Sequence, residues 1–279
     1  MKHAVKIALI LAGVLILFWW GWSGNFLYQR GSLFRLSAGE GYYSLSLGKR
    51  PLGYMKRTIR TEGPEKGFSV LEDSALEIPV PGFKGGARVS SVSAYRADGR
   101  LESASFALLN VPGSVARARA DHAAGTMECE LVLGAFARKK SLPLPTAGPI
   151  LVSAVVPWLS RQNELPLGKV LLAPVLDYRT MDFQTAELAV QDVTAEADEL
   201  RIFEVIVKTP AGEFAERVDA NGRLLLQELS GLEASYIQPE DAVRLDLAEK
   251  ALSADYPIIE ADEIPEPLTR LLEDYLPEG

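Results

Sequence analysis

From Ser37 to about Ile237 the chain repeats one pattern, short runs in which apolar and polar residues alternate, cut at intervals by Gly, Pro, Asn or Asp. A period of two sends alternate side chains to opposite faces of a strand, so a segment of this kind is restricted to antiparallel strands joined by turns. In "GEGYYSLSLGKRPLGYMKRTI", Gly39 to Ile59, the residues Tyr43, Leu45 and Leu47 alternate with Ser44, Ser46 and Gly48 and share one face. Pro51 and Gly53 are expected to break that run. "ARVSSVSAYRADGRLESASFALLN" sets Asp98 and Gly99 between two strand-like runs, and "EFAERVDANGRLLLQELSG" does the same with Asn221 and Gly222. Both dipeptides tolerate the positive φ of tight hairpins. The two hairpins share an Arg, Asp, Gly, Arg, Leu pattern, but turn chemistry selects such residues without any duplication.

Helical spacing is confined to a few places. Ile150 to Leu159, inside a Pro-rich stretch that crosses the domain, predicts a short buried helix interrupted by Pro157. Pro239, Glu240 and Asp241 predict a helix start, with Val243, Leu247 and Ala251 recurring at helical spacing behind it. After the acidic connector "IIEADEIPEP", a second short helix is expected beyond Pro267, with Leu268, Leu271, Leu272 and Tyr275 as its stripe. The expected organisation is therefore a segment 1–24 that inserts into or crosses a membrane, a connector 25–38, an antiparallel β-domain 39–238 and C-terminal helices over 239–279.

The N-terminal run "IALILAGVLILFWWGW" carries no charge and follows Lys2 and Lys6. Its apolar residues Ile7, Leu9, Leu11, Leu15 and Leu17 lead into Trp19, Trp20 and Trp22, indoles that favour the membrane boundary. Two readings stand, a retained anchor and a cleaved signal with Gly21 and Ser23 as small residues near the cut; the tryptophans favour the anchor. The positive-inside rule then puts the N-terminus in the cytoplasm and the bulk of the chain across the inner membrane, in a bacterium the periplasm.

Composition removes several function classes. The formal net charge is −8, and although Lys49, Arg50, Lys56, Arg57 and Arg60 gather in one stretch, no basic stripe interleaved with aromatics offers a nucleic-acid footprint. The single cysteine, Cys129, excludes a disulfide within the chain. It alternates with Glu128 and Glu130 beside Met127 and Leu131, which predicts an inward-facing thiol, and His122 is expected in an exposed loop. Ser46 to Lys49 has Ser-x-x-Lys spacing on a strand and turn, whereas that motif works from a helix. "FKGGAR" lacks phosphate-loop spacing. No catalytic, cofactor or metal site is assigned, and the expectation is a protein that is not an enzyme.

"GYYSLSLGKRPLGYMKRTI" resembles the opening strands of the β-domain that precedes the catalytic core in bacterial periplasmic transglutaminase-like proteins. "DGRLESASFAL" (Asp98 to Leu108), "GKVLLAPVLDYRTMDFQTAELAV" (Gly168 to Val190) and "AERVDANGRLLLQELSGLEASYIQPEDA" (Ala215 to Ala242) follow in the order that family implies. The Cys-His-Asp core of the family has no counterpart here, so no catalytic residue carries over. The resemblance implies a large curved antiparallel sheet, akin to the half-barrels of periplasmic lipoprotein carriers. One face of such a sheet needs a cover, and two segments are candidates: Ile150 to Leu159 with Trp158, and the stripe of Leu268, Leu271, Leu272 and Tyr275. The expected function is a membrane-anchored envelope module that binds a partner protein as a scaffold. The alternatives are a carrier or sensor of an apolar ligand and an accessory subunit of an envelope enzyme.

Overall fold

The computed structural model describes Phe26–Gln29, Leu33–Leu36 and residues 38–258, apart from 62, 64–65, 78–85, 134–135, 147, 162–166, 179, 195–201, 211, 220–222 and 230–231. Two short strands, β1 (Phe26–Gln29) and β2 (Leu33–Leu36), pair antiparallel where a plain connector was expected. Fourteen further strands form one open antiparallel sheet. They are β3 (Gly39–Leu47), β4 (Arg50–Thr61), β5 (Phe68–Glu77), β6 (Gly86–Tyr95), β7 (Leu101–Leu108), β8 (Val115–Asp121), β9 (Thr126–Leu133) and β10 (Phe136–Pro143) in one arm. The other arm holds β11 (Val170–Asp177), β12 (Asp182–Asp192), β13 (Ile202–Thr209), β14 (Gly212–Asp219), β15 (Leu224–Leu229) and β16 (Leu232–Tyr236).

Each arm is a meander of sequential neighbours, and the two join where β16 pairs with β3 through Tyr236↔Tyr43 and Leu232↔Leu47. The free edges are thus β10 and β11, consecutive strands at opposite ends of the sheet. The chain between them holds a turn of 3-10 helix at Val152–Ala154 and helix α1 (Val155–Arg161), and the β1–β2 pair lies alongside α1. A last helix, α2 (Ala242–Ser253), packs on β3, β4 and β5. Tyr178, just after β11, belongs to the same buried apolar cluster as Cys129 on β9 and Tyr95 on β6, so the two arms share one core.

The alternation holds along the strands, since Tyr43 and Leu45 are buried while Ser44 and Ser46 are partly exposed. Pro51 and Gly53 do not break β4. The register steps from Leu45↔Gly53 to Ser46↔Pro51, so Leu52 is accommodated as a bulge and the strand continues. Gly53 is required by close approach: a Cβ there would stand 1.9 Å from the backbone oxygen of Ala75. Gly53→Ala is therefore expected to cost on the order of 2–3 kcal/mol, the upper part of the range for point mutants, read as a lower denaturant midpoint.

The β6–β7 turn behaves as its Asp-Gly pair requires. Gly99 has φ +80, Asp98 accepts from the Arg100 backbone N–H at 3.1 Å, and Arg96 N–H donates to the Arg100 carbonyl at 2.9 Å. In the β14–β15 hairpin Asp219 N–H donates to the Arg223 carbonyl at 3.0 Å, while Asn221 and Gly222 lie outside the described residues. In α1, Pro157 falls in the first turn, where its missing N–H removes no ladder bond, so it does not interrupt the helix. In α2 the expected stripe faces the wrong way: Ala248 and Leu252 are the buried residues, and Val243 and Leu247 are exposed. The helix is held instead by polar contacts on the sheet's outer face, with Arg244 Nη2 donating to Ser44 Oγ at 2.8 Å. Among the described residues no helix is long and apolar enough to cross a membrane. The run bearing Ile7, Leu9, Leu11, Leu15, Leu17, Trp19, Trp20 and Trp22 lies outside the described residues, as does the stripe of Leu268, Leu271, Leu272 and Tyr275.

Candidate functional site: the inner face of the sheet and its cover

The segment bearing the 3-10 turn and α1 packs with the apolar residues of the sheet. Ile150, Leu151, Val152, Ala154, Val155, Val156 and Leu159 are at most 3% exposed and belong to the same apolar cluster as the inward residues of both arms. Three fixings position the segment. The Ile150 carbonyl accepts from Leu176 N–H on the free edge of β11. Ser153 Oγ and the Tyr95 hydroxyl, both buried, are 2.9 Å apart. Trp158 lies over the β6–β7 turn, where a Cβ on Gly99 would come within 2.2 Å of its Cδ1. Gly99 therefore serves the turn by its φ and the cover by its missing side chain.

Beneath the cover the inner face is filled. Tyr43, Leu45, Met55, Ile59, Val70 and Val89 in one arm, and Val175, Ala186, Leu188, Phe203, Val205 and Val207 in the other, are 0–3% exposed. Through the middle of this apolar surface runs a polar band that the alternation implied and the sequence reading missed. Arg57 lies inward between Met55 and Ile59, whereas Lys56 lies outward and pairs with Glu40 at 2.8 Å, so the basic cluster of the sequence divides between the two faces. Arg57 Nε and Nη2 both donate to Glu72 Oε1, at 2.8 and 2.7 Å, and Ser91 Oγ donates to Glu72 Oε2 at 3.2 Å. Arg57 and Glu72 face each other in the β4–β5 register, and Glu72 and Ser91 in the β5–β6 register. The guanidinium also stands 5.7 Å from the centre of the Tyr43 ring.

A second inward carboxylate, Glu216 between Phe214 and Val218, accepts from Gln227 Nε2 at 2.7 Å. The Tyr43 hydroxyl lacks a hydrogen-bond partner among the described residues; burial drives its pKa up against the opposing pull of Arg57, so it stays protonated. Because a slip of one residue would carry Arg57 or Glu72 to the outer face, the buried pair together with Ser91 ties the register of three adjacent strands. That is a structural task.

Cys129 is buried on β9, as the alternation predicted, and burial pushes its thiol up to about 12, with Glu128 adding to the rise and Lys140 opposing it. The thiol is unreactive in the fold. Labelling by a maleimide at pH 8 is expected only after denaturation. The sign of the linked stability change is also determined: the unfolded thiol ionises near pH ~8.5 and the folded one near 12, so this contribution is intact below the first value and declines as pH rises between them. His122 sits in the β8–β9 turn and is half-buried instead of exposed, with its Nε2 atom covered. Ser46 ends up near the close of β3 and Lys49 in the following turn, so the Ser-x-x-Lys spacing has no helix beneath it. Two outward carboxylates are engaged in ion pairs, Glu130 with Lys139 at 2.7 Å and Glu204 with Arg217 at 2.8 Å. Among the described residues no group of three His, Cys, Asp or Glu side chains is placed to hold a metal ion. No family model, curated protein or solved structure matches this chain.

Proposed function

We propose that this chain is a membrane-tethered, non-enzymatic module of the bacterial envelope that works as a protein-binding scaffold. The observation that carries the reading is the inner face, occupied by the chain's own segment in which Ile150, Leu151, Val152, Ala154, Val155, Val156 and Leu159 are at most 3% exposed, where a carrier would present an apolar groove. One buried cluster holding Tyr178 of one arm with Cys129 and Tyr95 of the other supports a sheet curled into a half-barrel around that segment. With the interior taken up, recognition falls to the outside of the sheet, its edges and α2. The uncharged run ending in Trp19, Trp20 and Trp22 supplies the tether and places the sheet on the periplasmic side.

Crosslinking in intact cells tests the reading, with envelope proteins as the expected adducts and lipid adducts alone as the contrary result. A reporter fused after Gly279 is expected to be active only outside the cytoplasm, and activity inside would remove the proposed location. Replacing Cys129 with Ser and His122 with Ala is expected to leave the phenotype unchanged. A lost phenotype with the fold intact would argue for an enzyme.

A further inference from the structure

The two free edges of the sheet are not alike. On β10, Arg138, Lys139 and Lys140 follow one another, so pairing this edge with itself would bring cations together, a common protection of exposed edges. On β11 the half near Asp177 is occupied: Leu176 N–H is bonded to Ile150, Gly148 lies against Pro174, and Pro174 has no N–H to offer. The other half has no strand partner among the described residues. Val170 is 61% and Leu172 65% exposed, the two share the outer face, and Leu167 beside them is 42% exposed. Leu176 N–H points away from β12, and residues two apart repeat that direction, so the backbone groups of Val170 and Leu172 point away from β12 too.

We propose that this half-edge joins two copies of the chain, β11 against β11, about a two-fold axis at Leu171. In that register Val170 of one copy faces Leu172 of the other, and the reverse holds by symmetry. The two pairs make four backbone hydrogen bonds and bring four exposed apolar side chains together on the outer face. Pro174 falls outside the four bonds, and Lys169 faces Ala173 of the second copy, so no like charges oppose each other. The bare stretch is short, which favours a strand already held rigid in a sheet over a disordered peptide that must be ordered to bind. The other edge is the poorer mate, since β10 carries three consecutive cations for which Val170 and Leu172 offer no counter-charge.

Disulfide trapping of the full-length chain tests the register. Directly opposed residues of this kind have Cα atoms about 5.5 Å apart, within the roughly 4.4–6.8 Å span of a disulfide. Two differently tagged chains, Val170→Cys and Leu172→Cys, are produced together and oxidised; both sites are exposed, and the buried Cys129 adds no adduct. The expected result is a mixed dimer carrying both tags, in excess over either chain linked to itself. Leu172→Lys, entering the interface twice, is expected to weaken dimerisation of the detergent-solubilised chain at least about tenfold. Absence of the mixed dimer, equal self-linkage of each variant, or capture of a different protein at these cysteines overturns the proposal. The last of these would leave the scaffold reading standing, while co-purification of a lipid would overturn the scaffold reading and leave the dimer untouched.

Discussion

Glu72→Ala is expected to destabilise the fold by about 3–5 kcal/mol, the usual consequence of leaving one member of a buried ion pair without its counter-charge. Both side chains are 2–3% exposed, so water cannot take the place of the lost carboxylate. Arg57→Met with Glu72→Leu together is expected to recover most of that loss, because two apolar side chains of similar size remove the desolvation cost along with the attraction. Equilibrium urea unfolding of the two variants beside the parent checks both values. Equal losses in the single and double variants would mean that volume, and not charge, is what these positions supply.

Val155→Asp is the second large effect. Val155 is 0% exposed in the first turn of α1, among the apolar residues of the core. Burying an unpaired charge costs several kcal/mol, and the chain avoids it by protonating the side chain or releasing the segment. A loss of at least ~4 kcal/mol is expected, in the tail reserved for buried unpaired charge. It should come with binding of a hydrophobic dye and proteolysis between residues 144 and 169, because the freed segment uncovers the apolar inner face. A variant that unfolds with the parent's midpoint and stays dye-free would show that the cover contributes little.

Much of this fold could be read from the residues because its strands are amphipathic and its turns are chemically marked. Tyr43, Leu45, Met127 and Cys129 point inward as the period of two requires, and Asp98 with Gly99 forms the turn their chemistry suits. The reading failed where a local rule met a tertiary constraint. Pro51 and Gly53 would end an isolated strand, but a bulge at Leu52 and the close backbone of Ala75 keep β4 continuous. Val243 and Leu247 have helical spacing, yet α2 rests on a polar outer face and buries Ala248 and Leu252 instead. Arg57, Glu72 and Glu216 were legible in principle, since each sits at an inward position of an alternating strand; counting charges along the chain, without asking which face each occupies, concealed them.

An interior filled by the chain's own Ile150–Leu159 segment leaves no room for a guest molecule, and native mass spectrometry of a chain beginning at Asn25, purified without detergent, reads this. Masses of the bare polypeptide are expected, as a monomer or a symmetric dimer. A lipid or other apolar molecule retained at near-stoichiometric occupancy would contradict it and make the protein a carrier.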